Sequence, residues 1–314
     1  VAAYDGAPDY PGPDRIWSVA SNLGVTFLGI SPTLIRALQP HGAEQARRHD
    51  LSRLVSFGST GEPWNPGPWW WLFREIGEGT RPIVNISGGT EIGAVLIGVN
   101  LLQGLKPTSL GCPSFGVDAD VFDQDGNPLR GEVGELVVRG SWPGMTRGFW
   151  KEPDRYLETY WSRFPDTWVH GDWASIDDDG FWYLHGRSDD TLNIAGKRVG
   201  PAEIESAAVA LPEVMMAAAI GVPDEVKGEV IALYLVPAPA IDPDDELTDR
   251  VEAAVTDALG KSFRPETIRW VSDLPRTRSA KIMRRVVKAM ALGREPGDLS
   301  SLENPESLDG IRPL

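Results

Sequence analysis

Residues 186–200 read GRSDDTLNIAGKRVG, and this stretch constrains the plan of the whole chain. It gathers Arg187, Asp189, Asp190, Lys197 and Arg198 into one short, turn-rich segment. Charged side chains at that density rarely pack into a core, so the segment belongs at a surface. The composition also changes across it. Upstream the chain is rich in Trp, Gly and Pro with short strand-like runs; downstream it alternates strands and helices. A hinge beside a charged ligand suits these facts better than a core-stabilising turn.

At 314 residues the chain is long enough for more than one domain. A net charge of −15 argues against nucleic-acid binding, which would leave a basic footprint. No apolar run approaches the roughly 20 residues that span a bilayer, so no membrane association is expected, and residues 1–10 do not form a signal peptide. The single cysteine, Cys112, excludes an internal disulfide and fits a reducing, cytoplasmic compartment. The sequence begins without methionine, at VAAYDGAPDYPGP, and reads as a piece of something larger.

Along the first part, Asp14 is the expected N-cap of a helix with Ile16, Val19, Ala20 and Leu23 on one side, ending at Gly24. Residues 25–30 read as a strand, and Ser31 then caps a helix with Pro32 at its first position. Further strands are expected at 54–57 and 82–86, with a helix over 68–76 whose Trp69, Trp70 and Trp71 point to different sides and so serve packing. From 110 to about 185 short strands and Gly turns indicate a small, barrel-like β subdomain, with Asp125-Gly126 as a hairpin signal. After the charged stretch, helices are expected at 201–211, 246–259 and 282–292 and strands at 215–222, 230–236 and 268–271. The fold class is therefore α/β and α+β multidomain. Its expected parts are a domain over 1–188, a small mobile α+β domain over 189–292 and a loosely ordered tail over 293–314.

Most standard catalytic signatures fail. Gly260-Lys261-Ser262 resembles the end of a Walker A loop, but the earlier glycine position is Val255. No GxGxxG follows a strand, no GxSxG is present, and His41, His49, His170 and His185 lack metal-ligand spacing. What remains are polar loops after predicted strands, where open α/β sheets bind ligands. Residues 58–63 (GSTGEP) and 87–91 (SGGTE) bring glycines that let backbone N–H groups approach phosphate, and Glu91 is an oxygen ligand suited to Mg²⁺. Taken alone, each loop is also readable as a plain turn. Asp172 in HGDW can accept from two sugar hydroxyls or cap a turn, and Arg187 offers a planar fork to phosphate or an acidic neighbour. PRTRSAKIMRRVVK, residues 275–288, holds six basic residues and no acidic one. A solvated helix face accounts for Arg284, Arg285 and Lys288 but less well for Lys281 at the end of a Thr/Ser loop.

In this order the motifs GSTGEPWNP (58–66), NISGGTE (85–91), TRGFWKEPDRYLETYW (146–161), HGDWA (170–174), GRSDDTLNIAGKRVGPAEIES (186–206) and PRTRSAKIMRR (275–285) resemble the adenylate-forming superfamily, most closely its acetyl-CoA synthetase-like acyl-CoA synthetases. The resemblance runs to about residue 290. It implies an ATP-dependent ligase that makes an acyl-adenylate and pyrophosphate from a small-molecule carboxylate, then swings its C-terminal domain so that coenzyme A attacks. Gly61, Glu62 and Pro63 would line the adenine together with the strand end Asn85, Ile86, Ser87, Gly88 and Gly89. Thr90 would contact the α-phosphate and Glu91 would hold Mg²⁺. Asp172 would bind the ribose, supported by Arg187, and Arg198 would reach phosphate. Lys281 would bridge carboxylate and α-phosphate, Asp189 would be the hinge, and Ala195-Gly196 would face coenzyme A. Thr60 and Gly88 would line the acyl pocket. A cation held by the carbonyls of Val209, Leu211 and Val214, and acylation of Lys281 by a lysine acyltransferase and its removal by a deacylase, are further implications.

Departures from the family pattern carry their own expectations. The Ser/Thr/Gly-rich phosphate loop is absent from the 314 residues, so this piece alone is expected to be inactive. Gly88 stands where acetyl-CoA synthetases close the acyl pocket with Trp, which implies an acyl group larger than acetate. Ala280 replaces the usual Gly before the lysine, and Thr256 stands where some relatives place a coenzyme A-binding Arg. The alternatives are a non-catalytic nucleotide- or acyl-binding piece and a sister enzyme that loads a carrier-protein thiol.

Overall fold

The computed structural model describes every residue except Leu101, Asp189, Gly196, Ser279 and Ala280, and every side chain among those but that of Arg198. Two compact units follow one another, residues 1–184 and 185–314. The expected hinge Asp189 lies outside the described residues.

Three short apolar runs become the parallel strands β1 (Phe27–Ile30), β2 (Ser56–Ser59) and the first part of β3 (Ile83–Gly89). Helices α1 (Arg15–Asn22), α2 (Pro32–Leu38), α3 (Glu44–Arg47) and α4 (Pro66–Trp71) share a core with them. Helix α1 buries Ile16, Trp17 and Ala20, whereas Leu23 is exposed. Asp14 does not cap α1; its Oδ2 lies 3.1 Å from His49 Nε2 instead. Ser31 does cap α2, accepting from Leu34 N with Pro32 in the first turn. Beyond α4 the chain widens into a π-helical turn, Leu72–Ile76. Trp69 is buried there, stacking on Phe73 and meeting Trp70 edge-on, so the tryptophan run serves packing.

From Ile86 onward β3 pairs antiparallel with β4 (Ala94–Gly98), with a register shift after Ser87, and β4 pairs in turn with β5 (Cys112–Pro113). The β subdomain is a four-stranded antiparallel sheet of β6 (Asp118–Phe122), β7 (Gly134–Arg139), β8 (Thr167–Ile176) and β9 (Trp182–Arg187), in that order, with α5 (Pro153–Trp161) alongside. Tyr160 of α5 stacks on Trp168 of β8 at 3.9 Å between ring centroids. Asp125-Gly126 does turn, with Gly126 at φ +83, inside a connection longer than a tight hairpin.

In the second unit, β10 (Leu192–Ile194) and β11 (Lys197–Val199) form a hairpin at one edge of the sheet β11-β10-β13-β12. Strands β12 (Val214–Asp224) and β13 (Gly228–Pro237) are its long antiparallel centre, and β14 (Thr267–Trp270) runs parallel to β13. Side chains alternate across this centre. Ala217, Ala219, Leu233 and Leu235 pack towards α6 (Pro201–Ala208) and α7 (Asp245–Leu259). Met216, Ala218, Ala232 and Tyr234 pack towards α8 (Arg284–Ala291). Ile311 joins the second core at 2% exposure, and Asn304 Nδ2 donates to Asp273 and to the Leu274 carbonyl. The segment expected to be loose is therefore docked. Among the described residues no helix is long and apolar enough to cross a membrane.

Candidate functional site

The register of the parallel strands decides what meets at their carboxyl edge. Ile30 pairs with Ser59, and Ser59 with Asn85, so the segments that follow β1, β2 and β3 leave the sheet side by side. Glu62 joins the first two. Its carboxylate accepts from Thr33 N at 2.7 Å, from the Thr33 hydroxyl, and from Arg36 at 2.8 Å. Trp64 Nε1 donates to Ser59 Oγ, pinning the base of the same loop. Thr60 and Gly61 remain exposed above it, Pro63 is half-buried, and Gly61 sits at φ +103, a conformation open to glycine. Thr33 and Arg36 were not singled out in the sequence; their signal is an Arg one helical turn beyond a capped start.

The third loop is divided between inside and outside. Asn85 is buried and its amide reaches the carbonyls of Thr108 and Ser109, so its side chain works from within the fold. Ile86 is half-buried and Ser87 buried, while Gly88, Gly89 and Thr90 are exposed. At Gly88 the backbone of β4 approaches so closely that an added Cβ would overlap the Ala94 carbonyl oxygen. A side chain there would require the β3–β4 pairing to shift locally.

The turn at Glu91 is clasped by the segment around 142–146. Thr146 N donates to the Glu91 carbonyl at 3.0 Å, Trp142 Nε1 to the Ile92 carbonyl at 2.7 Å, and Tyr156 Oη to the Thr146 carbonyl at 2.8 Å. That contact gives the TRGFW motif a local purpose: it holds the carboxylate-bearing turn. From β8 comes His170, whose Nε2 lies 3.3 Å from Asp172 Oδ2 with both side chains largely buried. A Cβ on Gly89 would stand 3.4 Å from His170 Cε1 and 3.8 Å from Glu91 Oε2. Glu91 and the His170–Asp172 pair therefore flank the same glycine. Among the described residues no group of three or more His, Cys, Asp or Glu side chains can hold a metal by itself. A Mg²⁺ carried by substrate phosphates needs only one or two protein carboxylates, and Glu91 fits that requirement.

The remaining candidates lie in the second unit. Arg187 ends β9 and is half-buried. Burial pushes the neighbouring His185 imidazole below its usual value, opposed by the charge of Glu203. Arg198 lies in β11 opposite Asn193 of β10, and Ala195 opens the turn between the two strands at φ +50, its N–H donating to the Lys227 carbonyl. Gly196 is outside the described residues. Lys281 is exposed on a loop closed by two bonds, Thr277 N to the Lys281 carbonyl and Lys281 N to Thr277 Oγ1. Ala280 is outside the described residues. Below that loop Arg284 forms a bidentate pair with the buried Glu205 of α6, at 2.6 and 2.5 Å. Near α6, the Leu211 carbonyl accepts from Val214 N, and the Val209 N–H donates to the Glu205 carbonyl, so these groups first serve the end of the helix. Thr256 turns its hydroxyl inward, with no hydrogen-bond partner among the described residues.

Polar loops in a row at the carboxyl edge of a parallel sheet, followed by a separate compact unit with an exposed lysine loop, fit the two-part arrangement that the sequence resemblance implies. Family comparison agrees in both units: residues 1–150 match the AMP-binding enzyme model and residues 203–281 the AMP-binding enzyme C-terminal domain. The chain belongs to the adenylate-forming superfamily. It is 42% identical to an acetyl-coenzyme A synthetase of Pyrobaculum aerophilum, over 98% of this chain and 46% of that protein. A second such synthetase, from Methanothrix thermoacetophila, is 41% identical over 98% and 48%. Among solved structures, acetoacetyl-CoA synthetase from Streptomyces lividans superposes with a TM-score of 0.85 at 33% identity, over 98% of this chain and 47% of that one. An anthranilate CoA ligase in complex with anthranoyl-AMP gives 0.76 at 26%, over 90% and 52%. The chain thus spans about half the length of the curated relatives it matches.

Proposed function

We propose that this chain carries the adenylate-handling and thioester-forming parts of an ATP-dependent, AMP-forming acyl-CoA ligase. The reaction is carboxylate plus ATP to acyl-adenylate plus pyrophosphate, followed by transfer of the acyl group to coenzyme A. The observation that carries this reading is the Ile30–Ser59–Asn85 register, which lines up three polar loops at one sheet edge. Gly61, Pro63 and the exposed backbone of 88–89 would pack against the adenine, with Glu62 fixing the loop through Thr33 and Arg36. Thr90 would donate to the α-phosphate, Asp172 would accept from the ribose hydroxyls, and Arg187 and Arg198 would bind ribose and phosphate oxygens. Mg²⁺, held by Glu91, supplies neutralisation of the phosphate charge. Lys281 would stabilise the charge that gathers on the α-phosphate as the carboxylate attacks, a task suited to a compact ammonium.

In the second half-reaction, rotation about Asp189 would exchange Lys281 for the Ala195-Gly196 turn. The small residue at Gly88, with Thr60, supports an acyl group larger than acetate. Lys281 is exposed, as a lysine acyltransferase would require, and mass spectrometry of native protein checks whether it is acylated. Carboxylate-dependent ATP–pyrophosphate exchange tests the reading. The full-length protein should show it and this chain alone should not. Lys281→Ala should lose at least about a hundredfold of exchange while thioester formation from supplied acyl-adenylate survives. Equal loss of both half-reactions would remove the role given to Lys281. Thiol transfer to a carrier protein in place of coenzyme A would favour the sister enzyme class.

A further inference from the structure

The turn proposed to face coenzyme A hangs at the edge of its sheet. Among the described residues, hairpin β10–β11 meets the rest of that sheet in register only at Ile194 and Gly228. The Ala195 N–H reaches the Lys227 carbonyl at 2.8 Å, and Lys197 Nζ reaches Ser262 Oγ at 2.9 Å. One more bond comes from a side chain. Glu229 Oε2, at the start of β13, accepts from Asn193 N at 2.9 Å, while its Oε1 receives Lys288 Nζ of α8 at 3.2 Å.

The surroundings of that carboxylate are shaped to hold it. Gly221 pairs with Ile231 on the adjacent strand, and a Cβ there would come within 2.6 to 2.9 Å of three Glu229 side-chain atoms. The glycine leaves a bare stretch of backbone over which the carboxylate lies. From there the carboxylate is bonded on one side to the hairpin and on the other to α8, whose first residue comes three positions after Lys281. An ordinary solvated glutamate needs none of these arrangements.

We propose that Glu229 is a positioning residue for thioester formation: it fixes the backbone of the β10–β11 hairpin at Asn193, and thereby Ala195, with Lys288 holding the carboxylate in place. This rests on the ligase reading above, and it adds a residue to the second half-reaction alone. Asn193 N–H is the group held, so the acceptor matters more than the charge. Glu229→Gln keeps a carbonyl oxygen for that N–H; Glu229→Ala removes it.

Two measurements on the full-length protein test the proposal. Hydrogen exchange at the Asn193 amide should accelerate about tenfold or more in Glu229→Ala and by less than about threefold in Glu229→Gln, the range set by losing one charge-assisted bond. In kinetics, Glu229→Ala should raise KM for coenzyme A and slow thioester formation from supplied acyl-adenylate about tenfold or more, with ATP–pyrophosphate exchange within about twofold of the parent. Glu229→Gln should restore most of the loss. Unchanged exchange at Asn193 in Glu229→Ala overturns the proposal even in an inactive protein. So does a parallel fall in both half-reactions, which marks general loosening. A parent protein with neither half-reaction would instead sink the ligase reading, leaving the exchange result to decide on Glu229.

Discussion

Arg284→Met removes one half of the buried pair beneath the lysine loop, and the structure sets the size of the effect. The Glu205 carboxylate is left with the Ala219 N–H, 2.9 Å from its Oε1, after losing two charge-assisted bonds from the guanidinium. Stripping one partner from a buried ion pair costs about 3–5 kcal/mol. The side chains are 10% and 21% exposed, so water recovers part of that and the lower end, about 3 kcal/mol, applies. Residues 185–314 form one compact unit of 130 residues. At about 2.1 cal/mol/K per residue its unfolding entropy is about 0.27 kcal/mol/K, so the midpoint should fall by about 11 °C. Thermal unfolding followed by circular dichroism reads this directly. The partner test is Glu205→Gln with Arg284→Met. A neutral amide keeps an acceptor for Ala219 N–H and leaves no stranded charge, so the double variant should recover at least about 1 kcal/mol over Arg284→Met. Strictly additive losses, or a single-variant cost below about 1 kcal/mol, would refute the account of this pair as a buried, coupled one.

Three further outcomes are expected. Asp189→Pro should retain ATP–pyrophosphate exchange and lose thioester formation, because a fixed φ blocks rotation; wild-type rates in both steps would remove the hinge assignment. Gly88→Ala should destabilise the first unit by about 1–3 kcal/mol because its Cβ overlaps the Ala94 carbonyl, while Gly88→Trp should add a shift of the turnover ratio towards acetate. Denaturant titration reads the first and competition between acetate and longer acids the second; an unchanged ratio means Gly88 does not line the pocket. Finally, His185 is held below its ordinary value of 6.5 by burial. Between that value and its lower folded one, the unfolded chain binds a proton that the folded chain does not, so stability should fall as pH drops below about 6.5. His185→Gln should flatten that acid-side slope of urea midpoints against pH, and an identical slope would assign it to other groups.

Much of this was legible because the signals were local. Ser31-Pro32 is a cap chemistry that needs no tertiary help, and the apolar runs before 58–63 and 87–91 had one sensible reading as buried strands. Motif order then carried the family. Asp14 misled because a side chain with cap chemistry found a better partner in His49, 35 positions away. The same kind of distance hid the Glu62–Arg36 and Glu205–Arg284 pairs, which join residues 26 and 79 positions apart. Spacing rules reach a helical turn, not a register between strands. Gly88 shows a subtler limit: the sequence offers it as missing bulk, and the structure adds that a neighbouring backbone occupies the place where bulk would begin.

The docked tail has a practical consequence. Thr277 bridges to Leu302, Arg276 N donates to Asn304 Oδ1, and Glu303 N donates to the Arg276 carbonyl, so the stem of the lysine loop is stitched to residues 302–304. Between α8 and those residues runs a stretch whose Glu295 and Gly297 are exposed. A protease that nicked it would leave the described strands and helices of the second unit uncut, but the seam under Lys281 would then be held only by its hydrogen bonds and the buried Ile311. Limited digestion should therefore loosen the loop before circular dichroism registers any loss of fold, and a shortened version of this protein ended near residue 293 would start out without that seam.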